Sequence, residues 1–102
     1  FDPIVASGPR SALPHARPGE RIFSVGDFVV FDFGCIVNGY CSDMTRTIVI
    51  GEPEEKHLLI YDLVLEAQVK SLEAVGPGKT GVEIDAIARD IISNMVSILA
   101  MA

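Results

Sequence analysis

The chain has 102 residues, 49% of them hydrophobic and 22% charged. That is enough for one small globular domain with a single core, and it excludes a disordered chain. A net charge of −6 argues against nucleic acid and anionic membrane surfaces as partners, because both need clustered Lys and Arg.

No apolar run approaches the roughly 20 residues of a membrane-spanning helix. No charged-then-apolar leader is visible at Phe1, and the lack of an initiator Met suggests a cut or processed end. Ile4-Val5-Ala6 is a short apolar stretch that Ser7-Gly8-Pro9 breaks. Pro14, Pro18 and Gly19 make residues 11–20 a loop, and Gly26-Asp27 is a second turn. Phe28–Phe33, rich in β-branched and aromatic residues, is a strand. Asn38-Gly39 predicts a two-residue type I′ hairpin loop, since both residues tolerate positive φ. The return strand covers about residues 40–50 and stops at Gly51.

Pro53 suits the first position of a helix. Along that helix Leu58, Tyr61, Leu65, Leu72 and Val75 recur as one apolar stripe, expected to be the packed face. Gly76-Pro77-Gly78 ends it. Thr80-Gly81-Val82-Glu83 fits a capping box, and Ile84, Ile87, Ala88, Ile91 and Ile92 supply the buried face of a second helix. The chain shows no repeat, low-complexity tract or second domain. The expected fold is α+β, an antiparallel β-hairpin sheet covered by two α-helices. Cys35 and Cys41 lack metal-binding C-x-x-C spacing. They are expected to be unbridged thiols that pack as small hydrophobes, in a reducing cytoplasm.

Asp32 and Asp43 are the candidate site. A carboxylate within an apolar strand is costly unless something pairs with it. A two-residue loop at Asn38-Gly39 sets Asp32 opposite Thr45 and Asp43 opposite Gly34. The two carboxylates then become diagonal neighbours on one face, roughly 7–8 Å apart at the backbone. A β-bulge would break this register. Like charges so close call for a cation, and oxygen donors suit Mn²⁺ or Mg²⁺. The competing expectation is that Arg46, Arg17 or backbone donors pair with the two carboxylates.

The ordered series Val5-Ala6-Ser7-Gly8-Pro9, Ala12-Leu13-Pro14-His15, Gly26-Asp27, Asp32-Phe33-Gly34, Gly39-Tyr40-Cys41-Ser42-Asp43-Met44-Thr45-Arg46-Thr47 and Gly51 resembles the Xaa-Pro peptidases. These are the prolidase and aminopeptidase P branch of the pita-bread metallopeptidases. The resemblance implies about half of a pita-bread domain with a dinuclear Mn²⁺ or Co²⁺ centre. Asp32 would bind one ion and Asp43 would bridge both. It implies a substrate-side role for His15, in holding substrate and shuttling protons, and supporting roles behind the ligands for Thr45 and Arg46. His57 lies among helix charges and is expected to be solvated. The implied substrates are short peptides with proline second, cut by two-metal activation of water. A homodimer is also expected.

In that family one His and two Glu ligands lie beyond the second helix, the His in a Phe-Gly-His-Gly stretch. With freely chosen codons, residues 95–102 can be written ATG-GTG-AGT-ATT-TTG-GCC-ATG-GC, and with the T that ends an AAT codon for Asn94 the frame one base earlier spells Tyr-Gly-Glu-Tyr-Phe-Gly-His-Gly. This leads to the expectation of a frameshift near Asn94 and of a truncated catalytic domain, inactive by itself. The alternative is a non-catalytic half-domain that associates with itself through its exposed apolar surface.

Overall fold

The computed structural model of the chain describes residues 2–101. It divides into two compact units, one ending at Glu54 and the other starting at Glu55.

The first unit is built on an antiparallel sheet in the order β1 (Ile4–Ser7), β2 (Phe28–Phe33), β5 (Met44–Val49). A 3-10 helix at Gly8–Ala12 leaves β1. β2 is the middle strand, and its Val29 is fully enclosed, with Ala6, Ala16 and Ser7 also buried. Beyond β2 the hairpin continues as β3 (Ile36–Val37) and β4 (Tyr40–Cys41). The turn between them has Asn38 at φ 52° and Gly39 at φ 83°, the two positive values a type I′ turn requires.

The return strand is broken rather than continuous. Phe33 pairs with Met44 on one side of the break and Ile36 with Cys41 on the other, so no residue is inserted and the register passes through unchanged. At the break the Cys35 N–H donates to the Ser42 hydroxyl at 3.0 Å, while the Ser42 N–H donates to the Cys35 carbonyl at 2.8 Å. A side-chain oxygen thus takes the place of a ladder carbonyl, a local competition with sheet bonding that serine readily makes. Cys35 and Cys41 are free thiols, but both are exposed. They lie close to the hairpin turn with both residues exposed, so they do not pack as small hydrophobes.

The second unit is a helical hairpin of α1 (Glu55–Ala74) and α2 (Gly81–Met101). Pro53 lies two residues before α1 and not at its first position. The packed face of α1 also differs from expectation. Leu58, Tyr61, Leu65, Leu72 and Val75 are all exposed, and the buried residues are Leu63 and Ala67, with Ser71 and Ala74 partly buried on the same stripe. Three of these four side chains are small, so the buried face of α1 does not follow side-chain hydrophobicity alone. Ser71 donates back to the Ala67 carbonyl at 2.8 Å, which satisfies its hydroxyl within the helix. His57 is partly buried rather than solvated.

The start of α2 follows expectation. Glu83 N–H donates to the Thr80 hydroxyl at 3.1 Å, and Thr80 N–H to the Glu83 carboxylate at 3.3 Å. These are the reciprocal bonds of a capping box. Ile84, Ile87, Ala88, Ile91 and Ile92 are all partly buried. The helix continues through Asn94 to Met101. The architecture is α+β, an antiparallel sheet and two helices, as the sequence predicts.

Candidate metal centre

Asp32 sits on the middle strand, paired with Ile4 of β1 on one side and Thr45 of β5 on the other. Directly paired residues share a face of the sheet. Continued across the break, the same register sets Asp43 opposite Gly34 and two residues from Thr45. Asp43 is therefore diagonal to Asp32 on that face. Gly34 is what lets the strands close here. A side-chain carbon at this position would run into the Ser42 carbonyl and lie 3.6 Å from the Asp43 Cα. The crowding would fall on Ser42 first and on Asp43 only through its backbone.

Among the described residues neither carboxylate has a hydrogen bond or an ion pair, and Asp32 Oδ1 is buried with no partner. Pairing with Arg46, Arg17 or backbone donors is therefore not what the structure contains. Arg46 pairs with Phe31 across the ladder, which puts it on the opposite face from Asp32. Its Nη1 donates to the Thr45 carbonyl at 2.8 Å. Thr45 and Asp43 are exposed, as is His15 in the turn that follows the 3-10 helix. Among the described residues no group of three His, Cys, Asp or Glu side chains converges, so His15 does not join the two carboxylates as a third ligand.

A buried, unpartnered carboxylate oxygen is a rarity that needs an explanation. A hard or borderline divalent cation fits it, since such ions take oxygen donors. The two acids present would supply part of such an ion's shell and not the whole of it.

A second polar cluster in the same unit was not foreseen. The Arg21 guanidinium grips the Asp27 carboxylate with both ends, at 2.7 and 3.1 Å, and also donates to the buried Ser7 hydroxyl at 2.7 Å. Ser24 N–H adds a bond to Asp27 Oδ2 at 2.8 Å. The Arg21 hydrogen bond, then that of Ser24, hold the Asp27 carboxyl below the usual carboxylate range, and the same pairing raises Arg21. This clamp ties the loop to the end of β1. Its one sequence signal was the Gly26-Asp27 turn. On α2 the Arg89 hydrogen bond likewise lowers Asp85, one turn away at 2.8 Å.

The chain is 54% identical over 92 residues to the Xaa-Pro dipeptidase of Pyrococcus furiosus, covering 90% of this chain and 26% of that protein. A recombinant prolidase from Thermococcus sibiricus superposes with a TM-score of 0.91 at 48% identity, over 93% of this chain and 26% of that one. Escherichia coli aminopeptidase P, as its His350Ala form, gives a TM-score of 0.91 at 31% identity, over 100% of this chain and 23% of that one. The chain thus spans about a quarter of the length of these proteins. The family model described as metallopeptidase family M24 matches residues 1–99. With that match over nearly its whole length, the chain belongs to metallopeptidase family M24.

Proposed function

We propose that this stretch supplies two ligands, Asp32 and Asp43, to the dinuclear metal site of an Xaa-Pro exopeptidase. The observation that carries the proposal is the buried, unpartnered Asp32 Oδ1, set diagonally to a second carboxylate that is also unpaired. When bound, two divalent ions such as Mn²⁺ or Co²⁺ activate a water and polarise the scissile carbonyl.

In this reading Asp32 would hold one ion and Asp43 would be shared by the two, with Gly34 giving the strand the closeness the pair needs. Thr45 flanks Asp32 across the ladder. Arg46 steadies the Thr45 backbone through the carbonyl it binds. His15, on its exposed turn, holds the substrate and moves a proton at its ring nitrogen. The substrates are short peptides with proline in second position, by analogy with relatives named Xaa-Pro dipeptidase and aminopeptidase P. The 102-residue chain by itself has too few donors for a reactive centre, so it binds metal weakly and turns over no peptide.

Titration of the chain with Mn²⁺ tests the site. Asp32→Asn and Asp43→Asn should each weaken binding about tenfold or more. Equal affinity in all three proteins would remove the proposal. Release of proline from Ala-Pro by the chain with Mn²⁺ present would overturn the claim of inactivity.

A second reading, a half-domain that pairs with a copy of itself, is favoured by the apolar surface of α1, where Leu72 is 70% and Val75 63% exposed. Sedimentation of the chain as a monomer at all accessible concentrations would sink it.

A further inference from the structure

The face of the sheet opposite Asp32 carries a different chemistry. Ile4 shares a face with Asp32, so its neighbours Val5 and Ser7 project the other way. There they help to line a cavity of about 240 Å³ together with Arg10, Arg17, Arg21 and Phe23. Three of the chain's eight cationic side chains meet there. No acidic side chain among the described residues lines it, in a chain with fourteen of them.

Arg21 is neutralised by its two bonds to Asp27. Arg10 and Arg17 are not: among the described residues neither has a carboxylate partner. Arg10 Nη2 instead donates to the Arg17 backbone carbonyl at 2.5 Å, which sets the Arg10 guanidinium against the Arg17 main chain at the cavity they both line. Two cationic side chains lining one cavity without a carboxylate partner are unfavourable. Ser7 adds a second, independent sign. The residue is 5% exposed, its hydroxyl oxygen accepts from Arg21, and its own proton is left to give. A buried hydroxyl donor beside two unneutralised guanidinium forks is the donor set of an oxyanion site. The volume falls below that of a pocket for a drug-sized ligand, which suits a small anion.

We propose that Arg10, Arg17 and Ser7 form a binding site for a dianionic phosphate group, on the face of the sheet opposite the metal ligands. The charge of the group matches the two unpaired guanidiniums. Val5 and Phe23 leave an apolar wall for a small organic body carrying it. Free inorganic phosphate and a small phosphate monoester share this chemistry.

The test is an NMR titration of the full chain in phosphate-free buffer with inorganic phosphate, phenyl phosphate, acetate and chloride in separate arms. Both phosphates should give saturable shifts centred on Ser7, Arg10 and Arg17. The tighter of the two identifies whether the apolar wall contributes. The double variant Arg10→Gln/Arg17→Gln should weaken binding about tenfold or more, and Arg89→Gln should leave it unchanged. Amide dispersion in the same spectra shows that each variant is folded. Shifts that are equal for all four anions, or that persist in the double variant, overturn the proposal. The outcome is independent of the metal site, because neither Asp32 nor Asp43 takes part.

Discussion

In the strand unit Val29 is wholly enclosed and the buried Ser7 is fixed by a charged partner, whereas in the helix unit the only side chains counted as buried among the described residues are Leu63 and Ala67. The strand unit holds its shape through particular polar contacts: the Arg21–Asp27 clamp, the Cys35–Ser42 bonds and a turn with two positive φ values. The helix unit relies on propensity, one capping box and a narrow stripe of small residues. Several of its large apolar residues, Leu58, Leu65, Leu72 and Val75 among them, stay exposed. The proposed ligand pair, Asp32 and Asp43, lies in the first kind of construction. Directional bonds fix positions, while apolar packing mainly fixes which faces meet.

The largest break in this contrast should come at Gly34. Gly34→Val forces a side chain into the Ser42 carbonyl and should cost at least about 2 kcal/mol in urea unfolding, as overpacking does. It should abolish Mn²⁺ binding along with it. Next comes a pair of leucines on one helix. Leu63→Ala should cost about 2–4 kcal/mol, because Leu63 is buried, and Leu72→Ala should change stability by less than about 0.5 kcal/mol. The reverse order would mean that the expected stripe, and not the small-residue stripe, is the packed one.

Thr80→Ala removes the cap of α2 and should cost about 1 kcal/mol, read as lost helicity and a lower urea midpoint. The smallest effect should be at Asp27. Its folded-state ionisation lies below the unfolded one, so the pairing favours the fold above the ordinary carboxylate range. That contribution is lost as pH falls through the lowered value. Asp27→Asn should therefore be less stable than the parent at neutral pH and converge with it in acid. Parallel curves at all pH values would show that the clamp contributes nothing through charge.

Where sequence reasoning succeeded, the controlling physics was local. Asn38-Gly39 accepts the backbone angles of its turn without help from other residues. From that turn the pairing of Asp32 with Thr45 followed by counting. Thr80 and Glu83 reach each other within one helical turn. It failed where the answer depended on what lies across the gap. The size of Leu65 or Leu72 predicts burial, but the folded chain covers Ala67 and, in part, Ser71 instead. Cys35 and Cys41 are apolar enough to bury, yet both are exposed near the turn of the hairpin. The break at Ser42 was also hidden, because a serine hydroxyl that replaces a ladder acceptor has no signature in strand propensity.

The central strand, the two helices, the hairpin register and the α2 cap were thus written in the chain itself, because each depends on backbone preferences and neighbours a few residues apart, whereas β1 as an edge strand was not. The face α1 buries, the orphaned oxygen of Asp32 and the meeting of Arg10 and Arg17 beside Ser7 belong to the tertiary structure alone. Each of these is set by which distant atoms come within bonding or packing distance, and solvent exclusion at that distance is a property of the assembled fold and not of any segment.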